Sequence, residues 1–297
     1  MIIGGNLPNY SSLGHRDAIV AIAQAAESLG YASLWTNDHV LLPTSRPEPF
    51  GNVLESLTTL SYLAASTDRI RLGTGILVLP QRDPLLVAKQ AATISHLSGG
   101  RLALAVGVGY IEQEYAYLRA DFANRGRLAD EYIPAMRELF ESDTPEFHGP
   151  HINYADVLFS PRPAAGIPIL VGGNSAAALK RAAALGDGWY GLWQSPEKVH
   201  ASLAQINEFG IHRAKFEVSM RVKSCSKRTA RSRCVSSQDS KRACGDVAII
   251  GHAPCRRPLA LRCRRGLSQV ERWRRLIADE RPAPYARPWR VTREIRL

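Results

Sequence analysis

Residues 70–107 read IRLGTGILVLPQRDPLLVAKQAATISHLSGGRLALAVG, and the reading of this stretch decides the fold. Ile70 to Val78 is an apolar run of strand length, of the kind buried on both faces of a parallel sheet. Asp83 and Pro84 then open a helix, Asp as N-cap and Pro at the first helical position. The helix runs through Leu97 and stops at Gly99 and Gly100, after which Arg101 to Gly107 is again an apolar strand. A strand, a crossover helix and a second strand in one short segment form the unit of a parallel α/β sheet.

The unit repeats on both sides. Upstream, Ile2 to Leu7 is a strand, and Asp17 to Leu29 carries Ala18, Ile19, Ile22, Ala25, Ala26 and Leu29 at helical spacing before Gly30. Tyr31 to Thr36 is the second strand, Pro43 to Pro49 a loop and Val53 to Ser66 a helix. Downstream, Ile167 to Val171, Gly188 to Leu192 and Phe216 to Val222 are strands separated by helices over Ala176 to Leu185 and Pro196 to Phe209. Between the halves, Ile111 to Glu141 is mostly helical and Ser142 to Pro163 is irregular, which reads as an insertion after strand four. Seven strands in this order on 297 residues predict a (β/α)8 TIM barrel, a fold of about 250 residues, with its eighth strand and helix missing or replaced.

The composition changes abruptly after Val222. Twenty of the 38 Lys and Arg but only six of the 27 Asp and Glu lie beyond it, so the first 222 residues carry 18 basic against 21 acidic groups. All five cysteines, Cys225, Cys234, Cys244, Cys255 and Cys263, lie there too. Two domains are therefore expected: a barrel over 1–222, with its insertion at about 111–163, and a basic, Cys- and Arg-rich tail over 223–297 that is poorly structured, with a short apolar patch at Val247 to Ile250. Seven strands would leave two edges unpaired. Arg, Cys, Ser, Pro and Ala are also what GC-rich coding DNA yields when read out of frame, so the tail reads as the product of a frameshift near Lys223. The cysteines form no C-x-x-C pair, so no metal site is expected, and the Arg-rich run lacks the aromatic spacing of a nucleic-acid stacking surface. No apolar run reaches the roughly 18 residues of a membrane span, and the first residues hold no basic group of an export signal; a cytoplasmic protein is expected.

Barrel enzymes build their sites on the turns after the strands. After strand two comes Trp35-Thr36-Asn37-Asp38-His39, where an imidazole beside an acid can move a proton, or where both merely pin the following loop. Gly73-Thr74-Gly75-Ile76 on strand three permits close approach of a flat ring or a plain bulge. Gly107-Val108-Gly109-Tyr110 ends strand four, ahead of Glu112, Glu114 and Tyr115. Gly172-Gly173-Asn174-Ser175 joins strand five to an Ala-rich helix, and its amides at the helix N-terminus, with the Ser175 hydroxyl, suit an anion such as a cofactor phosphate. An ordinary capped turn with Asn174 or Ser175 as N-cap is the alternative. Trp189, in Gly186-Asp187-Gly188-Trp189, reads as core.

These pieces, with Leu7-Pro8, Leu34 to His39, Arg69 to Ile76, Asp83-Pro84, Leu97 to Arg101 and Pro168 to Gly173, occur in an order that resembles the luciferase-like monooxygenase superfamily, especially its coenzyme F420-dependent branch. The resemblance implies a flavin-type ring at the carboxyl end of the barrel, backed by a cis peptide at Gly75-Ile76. It implies His39 as the histidine acting near the ring, oriented by Asp38; Gly107 and Val108 as lining the cofactor channel; and Gly172, Gly173, Asn174 and Ser175 as the phosphate site. The acid that some sugar-phosphate dehydrogenases of this family carry after the strand-four glycines is Tyr110 here. The expected reaction is hydride exchange between F420 and a small organic substrate. An FMN-dependent two-component monooxygenase and a non-catalytic product of a frameshifted gene are the alternatives. A homodimer is the assembly the resemblance implies.

Overall fold

The computed structural model of the chain describes residues 2–45, 50–225 and 244–252, the last three residues of the second segment and all of the third by backbone alone. Its strands are β1 (Ile2–Asn6), β2 (Ser33–Thr36), β3 (Arg71–Val78), β4 (Leu102–Gly107), the short pair β5 (Phe147–His148) and β6 (Asn153–Tyr154), then β7 (Ile169–Gly172), β8 (Gly188–Leu192), β9 (Glu217–Cys225) and β10 (Cys244–His252). Its helices are α1 (Arg16–Ser28), α2 (Ser56–Ala64), α3 (Pro84–Leu97), α4 (Glu112–Tyr117), α5 (Arg125–Glu141), α6 (Ala176–Leu185) and α7 (Pro196–Phe209). Each expected strand and helix up to Val222 is present within a few residues of its predicted bounds. The caps explain why: the Asp83 carboxylate accepts from the amides of Leu85 and Leu86, and Ser175 and Ser195 cap α6 and α7 in the same way.

The sheet closes into a barrel in the order β1-β2-β3-β4-β7-β8-β9-β10. Seven of its strands run parallel; β10 is antiparallel to β9 and to β1, pairing Val247 with both Val222 and Gly5. The place of the eighth parallel strand is thus taken by part of the segment expected to be an unstructured tail. The apolar patch Val247 to Ile250 is the middle of that strand, and it pairs both edges that seven strands would have left open. The other expectations for the tail fall outside the described residues. The expected insertion also needs correction. Its helix α5 packs against α3 and α6 and forms the crossover between β4 and β7, so only α4 and the β5–β6 hairpin are additions to the barrel. Among the described residues no helix is long and apolar enough to cross a membrane.

Two apolar cores follow from the alternation of side chains along each strand. The larger lies between sheet and helices and includes Leu34, Leu72, Leu77, Leu104 and Ile169 with the inner faces of α1 to α3 and α5 to α7. The smaller fills the lumen: Trp35, Ala103, Ala105, Leu170 and Tyr190 are all fully buried. A Cβ on Gly73 would overlap the Trp35 indole, and one on Gly75 would come within 2.6 Å of the Tyr190 hydroxyl. The flat rings that these glycines admit therefore belong to the chain itself.

The bottom of the barrel is tied by one guanidinium. Arg101 donates from Nε to the Ser98 carbonyl, from Nη1 to Thr67 Oγ1 and the Ile70 carbonyl, and from Nη2 to the carbonyls of Ala64 and Thr67, all at 2.7–3.0 Å. It thereby joins the ends of α2 and α3 to the start of β3. Arg101→Ala leaves these acceptors without a donor and is expected to cost about 2–3 kcal/mol. Arg101→Lys should recover less than half, since an ammonium cannot span the same fork. Urea unfolding midpoints at neutral pH measure both.

Candidate active site

The residues singled out from the sequence lie where β2, β3, β4 and β7 end, on one rim of the barrel. Asp38 and His39 leave β2 as neighbours yet serve different partners. The Asp38 carboxylate accepts from both terminal nitrogens of Arg82, at 2.9 and 2.8 Å, and from the Val78 amide at 2.8 Å. It therefore does not orient His39, contrary to expectation, and instead fixes the end of β3. The imidazole is held by Glu114 of α4: Nδ1 lies 3.2 Å from Oε2, while Oε1 accepts from the amides of Val40 at 2.6 Å and Leu41 at 3.3 Å.

Glu114 is 2% exposed. Burial disfavours its charge, but His39 and the Val40 amide outweigh this and hold the carboxyl below its ordinary range. An ionised carboxylate only accepts, so Nδ1 of His39 carries a proton. In the neutral imidazole Nε2 is then left as the acceptor. The His39 side chain keeps 12% of its surface exposed.

The glycine positions converge on one side chain. The Gly75–Ile76 peptide is cis, and the pairing of β3 with β4 shifts register between Gly75 and Leu77. A Cβ on Gly107 or on Gly172 would overlap the Ile76 side chain, so both glycines make room for Ile76. The Val108 carbonyl accepts from the Tyr115 hydroxyl at 2.6 Å, which anchors the turn after β4 on α4.

The turn 172–175 is held from three sides. The Trp189 indole, fully buried as the sequence suggests, donates to the Gly173 carbonyl at 2.7 Å, and the Gly173 amide donates to the Tyr190 carbonyl at 3.2 Å. The Asn174 side chain pairs with both backbone groups of Leu192, at 2.7 and 3.1 Å. Ser175 Oγ accepts from the Ala178 amide. Asn174 and Ser175 thus spend their side chains on the turn. What the turn offers an anion is backbone, at the N-terminal end of the α6 dipole, with Gly173 at φ 121°.

Sequence reasoning gave no role to Glu114, Arg82 or Arg221. Arg221 on β9 is 5% exposed and donates from Nη1 to Asn37 Oδ1 at 2.7 Å and to the Gly75 carbonyl at 3.4 Å. A signal for it was present: Glu217, Ser219 and Arg221 alternate with Val218, Met220 and Val222, which marks a polar inner face on this strand.

The family described as luciferase-like monooxygenase matches residues 3–236. The chain belongs to it. An uncharacterised protein of Mycobacterium tuberculosis is 35% identical over 200 residues, 63% of this chain and 69% of that protein. An F420-dependent glucose-6-phosphate dehydrogenase of Amycolatopsis mediterranei is 32% identical over 193 residues, 64% of this chain but 57% of its own length. Among solved structures, an F420-dependent secondary alcohol dehydrogenase in complex with an F420-acetone adduct superimposes with a TM-score of 0.62 at 22% identity, covering 70% of this chain and 64% of that one, and so shares the fold. As a luciferase-like monooxygenase family member the chain is an enzyme of the oxidoreductase class. The family match runs fourteen residues beyond Val222.

Removal of Glu114 tests the network. Its carboxyl titrates below the reference value of 4.5, so its contribution to stability is fully present above that pH and is lost as pH falls through the lower folded value. Glu114→Ala should destabilise the protein by about 2 kcal/mol at pH 7. Its deficit in urea midpoint against the parent should shrink as pH falls below that reference value.

Proposed function

We propose that this chain transfers a hydride between the deazaflavin coenzyme F420 and a small organic substrate. The observation that carries the reading is the imidazole of His39, clamped through Nδ1 by a buried carboxylate on the same rim as the Gly172–Ser175 turn. The residues present fit such a group. The backbone of Gly172, Gly173, Asn174 and Ser175 at the start of α6 would take its phosphate, and Gly75, Ile76, Gly107 and Val108 would line its ring. F420, when bound, supplies a carbon that accepts or donates a hydride.

The chain's own residues manage the proton. His39 Nε2 takes the proton of a substrate hydroxyl as its carbon gives up the hydride, and in the reverse direction returns it to the carbonyl oxygen. Glu114 stabilises the imidazolium formed and keeps the ring in one orientation. Asp38 acts at one remove, through Arg82 and the Val78 amide, by setting the end of β3.

A monooxygenase using reduced FMN and oxygen is the second reading, favoured by the family's own description. Spectral titration of the full chain with F420 and with FMN separates the two, since saturable binding of FMN alone would sink the first. His39→Ala should lower kcat for F420-linked oxidation or reduction by about 10²–10⁴ while F420 affinity stays within a few-fold. An unchanged kcat would remove His39 from the mechanism.

A further inference from the structure

The surroundings of His39 are more specific than its chemistry. Its ring meets Phe50, with centroids 5.0 Å apart and planes tilted by 48°, and meets Tyr110 edge-on at 6.4 Å. Phe50 in turn packs on Tyr10 at 5.0 Å. These rings come from three separate segments, after β1, in the loop beyond β2 and after β4. Tyr110 itself is 67% exposed, and the two residues that follow His39 are exposed and apolar too, Val40 at 44% and Leu41 at 50%. Trp193, 55% exposed at the end of β8, lies over the Arg221 guanidinium, which itself bonds Asn37 two residues before His39.

Charge is handled in the opposite way. Asp38 is matched to Arg82, Arg82 also reaches Glu55, Glu55 caps α2, and Glu114 is saturated by His39 and two amides. Arg221 is already engaged with Asn37 and the Gly75 carbonyl. Among the described residues the approach to His39 is therefore aromatic and apolar. Against the aromatic faces themselves a phosphorylated or carboxylated substrate would lose hydration and meet no cation. An uncharged ring would displace water from exposed apolar surface and stack on tyrosine and phenylalanine faces.

From this we infer that the substrate is an uncharged aromatic or alicyclic alcohol or carbonyl, selected by a collar of Tyr10, Phe50 and Tyr110 around His39. The inference rests on the reading of His39 as the proton-transfer residue, and its test is separable from that reading. The probes are 2-naphthol, an uncharged aromatic alcohol, and glucose 6-phosphate, an anion without an aromatic face. Binding of each to the full chain is measured by equilibrium dialysis without turnover, alongside separate titrations with F420 and FMN. The expected result is saturable 2-naphthol binding, weakened about tenfold by Tyr110→Ala and restored by Tyr110→Phe. Because Tyr110 is mostly exposed, circular dichroism should show the variant folded as the parent. Preference for glucose 6-phosphate, or 2-naphthol binding indifferent to Tyr110→Ala, overturns the inference. Tyr110-dependent naphthol binding in a protein that binds neither cofactor would support the collar and sink the hydride-transfer reading instead.

Discussion

Trp35 has no exposed surface, and its indole can occupy the barrel lumen only because Gly73 on the adjacent strand has no side chain. Much else depends on that packing. The indole nitrogen is satisfied by Ser33 Oγ at 2.9 Å, its ring packs against Tyr190 with centroids 5.1 Å apart, and Tyr190 lies over Gly75. Three strands from different parts of the sequence are thus locked in register by two aromatic side chains and two missing ones. Since β2 is fixed through Trp35, the chain leaves it at a set height and direction, and Asn37, Asp38 and His39 are delivered to the rim. Ile76 repeats the device one layer higher, with its side chain wedged between Gly107 and Gly172. The upper barrel is therefore narrow because glycines let it be narrow.

The electrostatics of the rim follow from strand geometry. Consecutive residues of an extended segment point to opposite sides. Asp38 accordingly turns toward β3 and Arg82, while His39 turns toward α4 and Glu114. Two neighbouring residues that look like an acid–base pair in sequence are thereby divided between two functions, one holding β3 and one presenting an imidazole. The carboxylate that serves His39 comes from 75 residues further along the chain. It also binds the loop backbone at Val40 and Leu41, so ring and loop are held by one group.

Closure of the barrel answers a simple requirement. Seven parallel strands present two rows of unsatisfied amides and carbonyls, and an eighth strand of either direction can satisfy both. Here β10 does so antiparallel, paired with β9 on one side and β1 on the other. The parallel order of β1 to β9 around the ring is undisturbed by this substitution.

The sequence by itself determined the strands and helices of the barrel up to Val222, the family, and the turns that form the rim. Periodicity, caps and glycine stops are local properties, and local properties can be read without knowing what packs against them. It also placed His39 and the turn 172–175 where the structure has them. Only the tertiary structure decided which groups serve His39, because Glu114 reaches it through the packing of α4 on the rim and not through any spacing in the chain. The same holds for Arg221, and for the room that Gly73, Gly107 and Gly172 make for Trp35 and Ile76. The partner of a missing side chain is set by strand register, and register exists only once the barrel has closed.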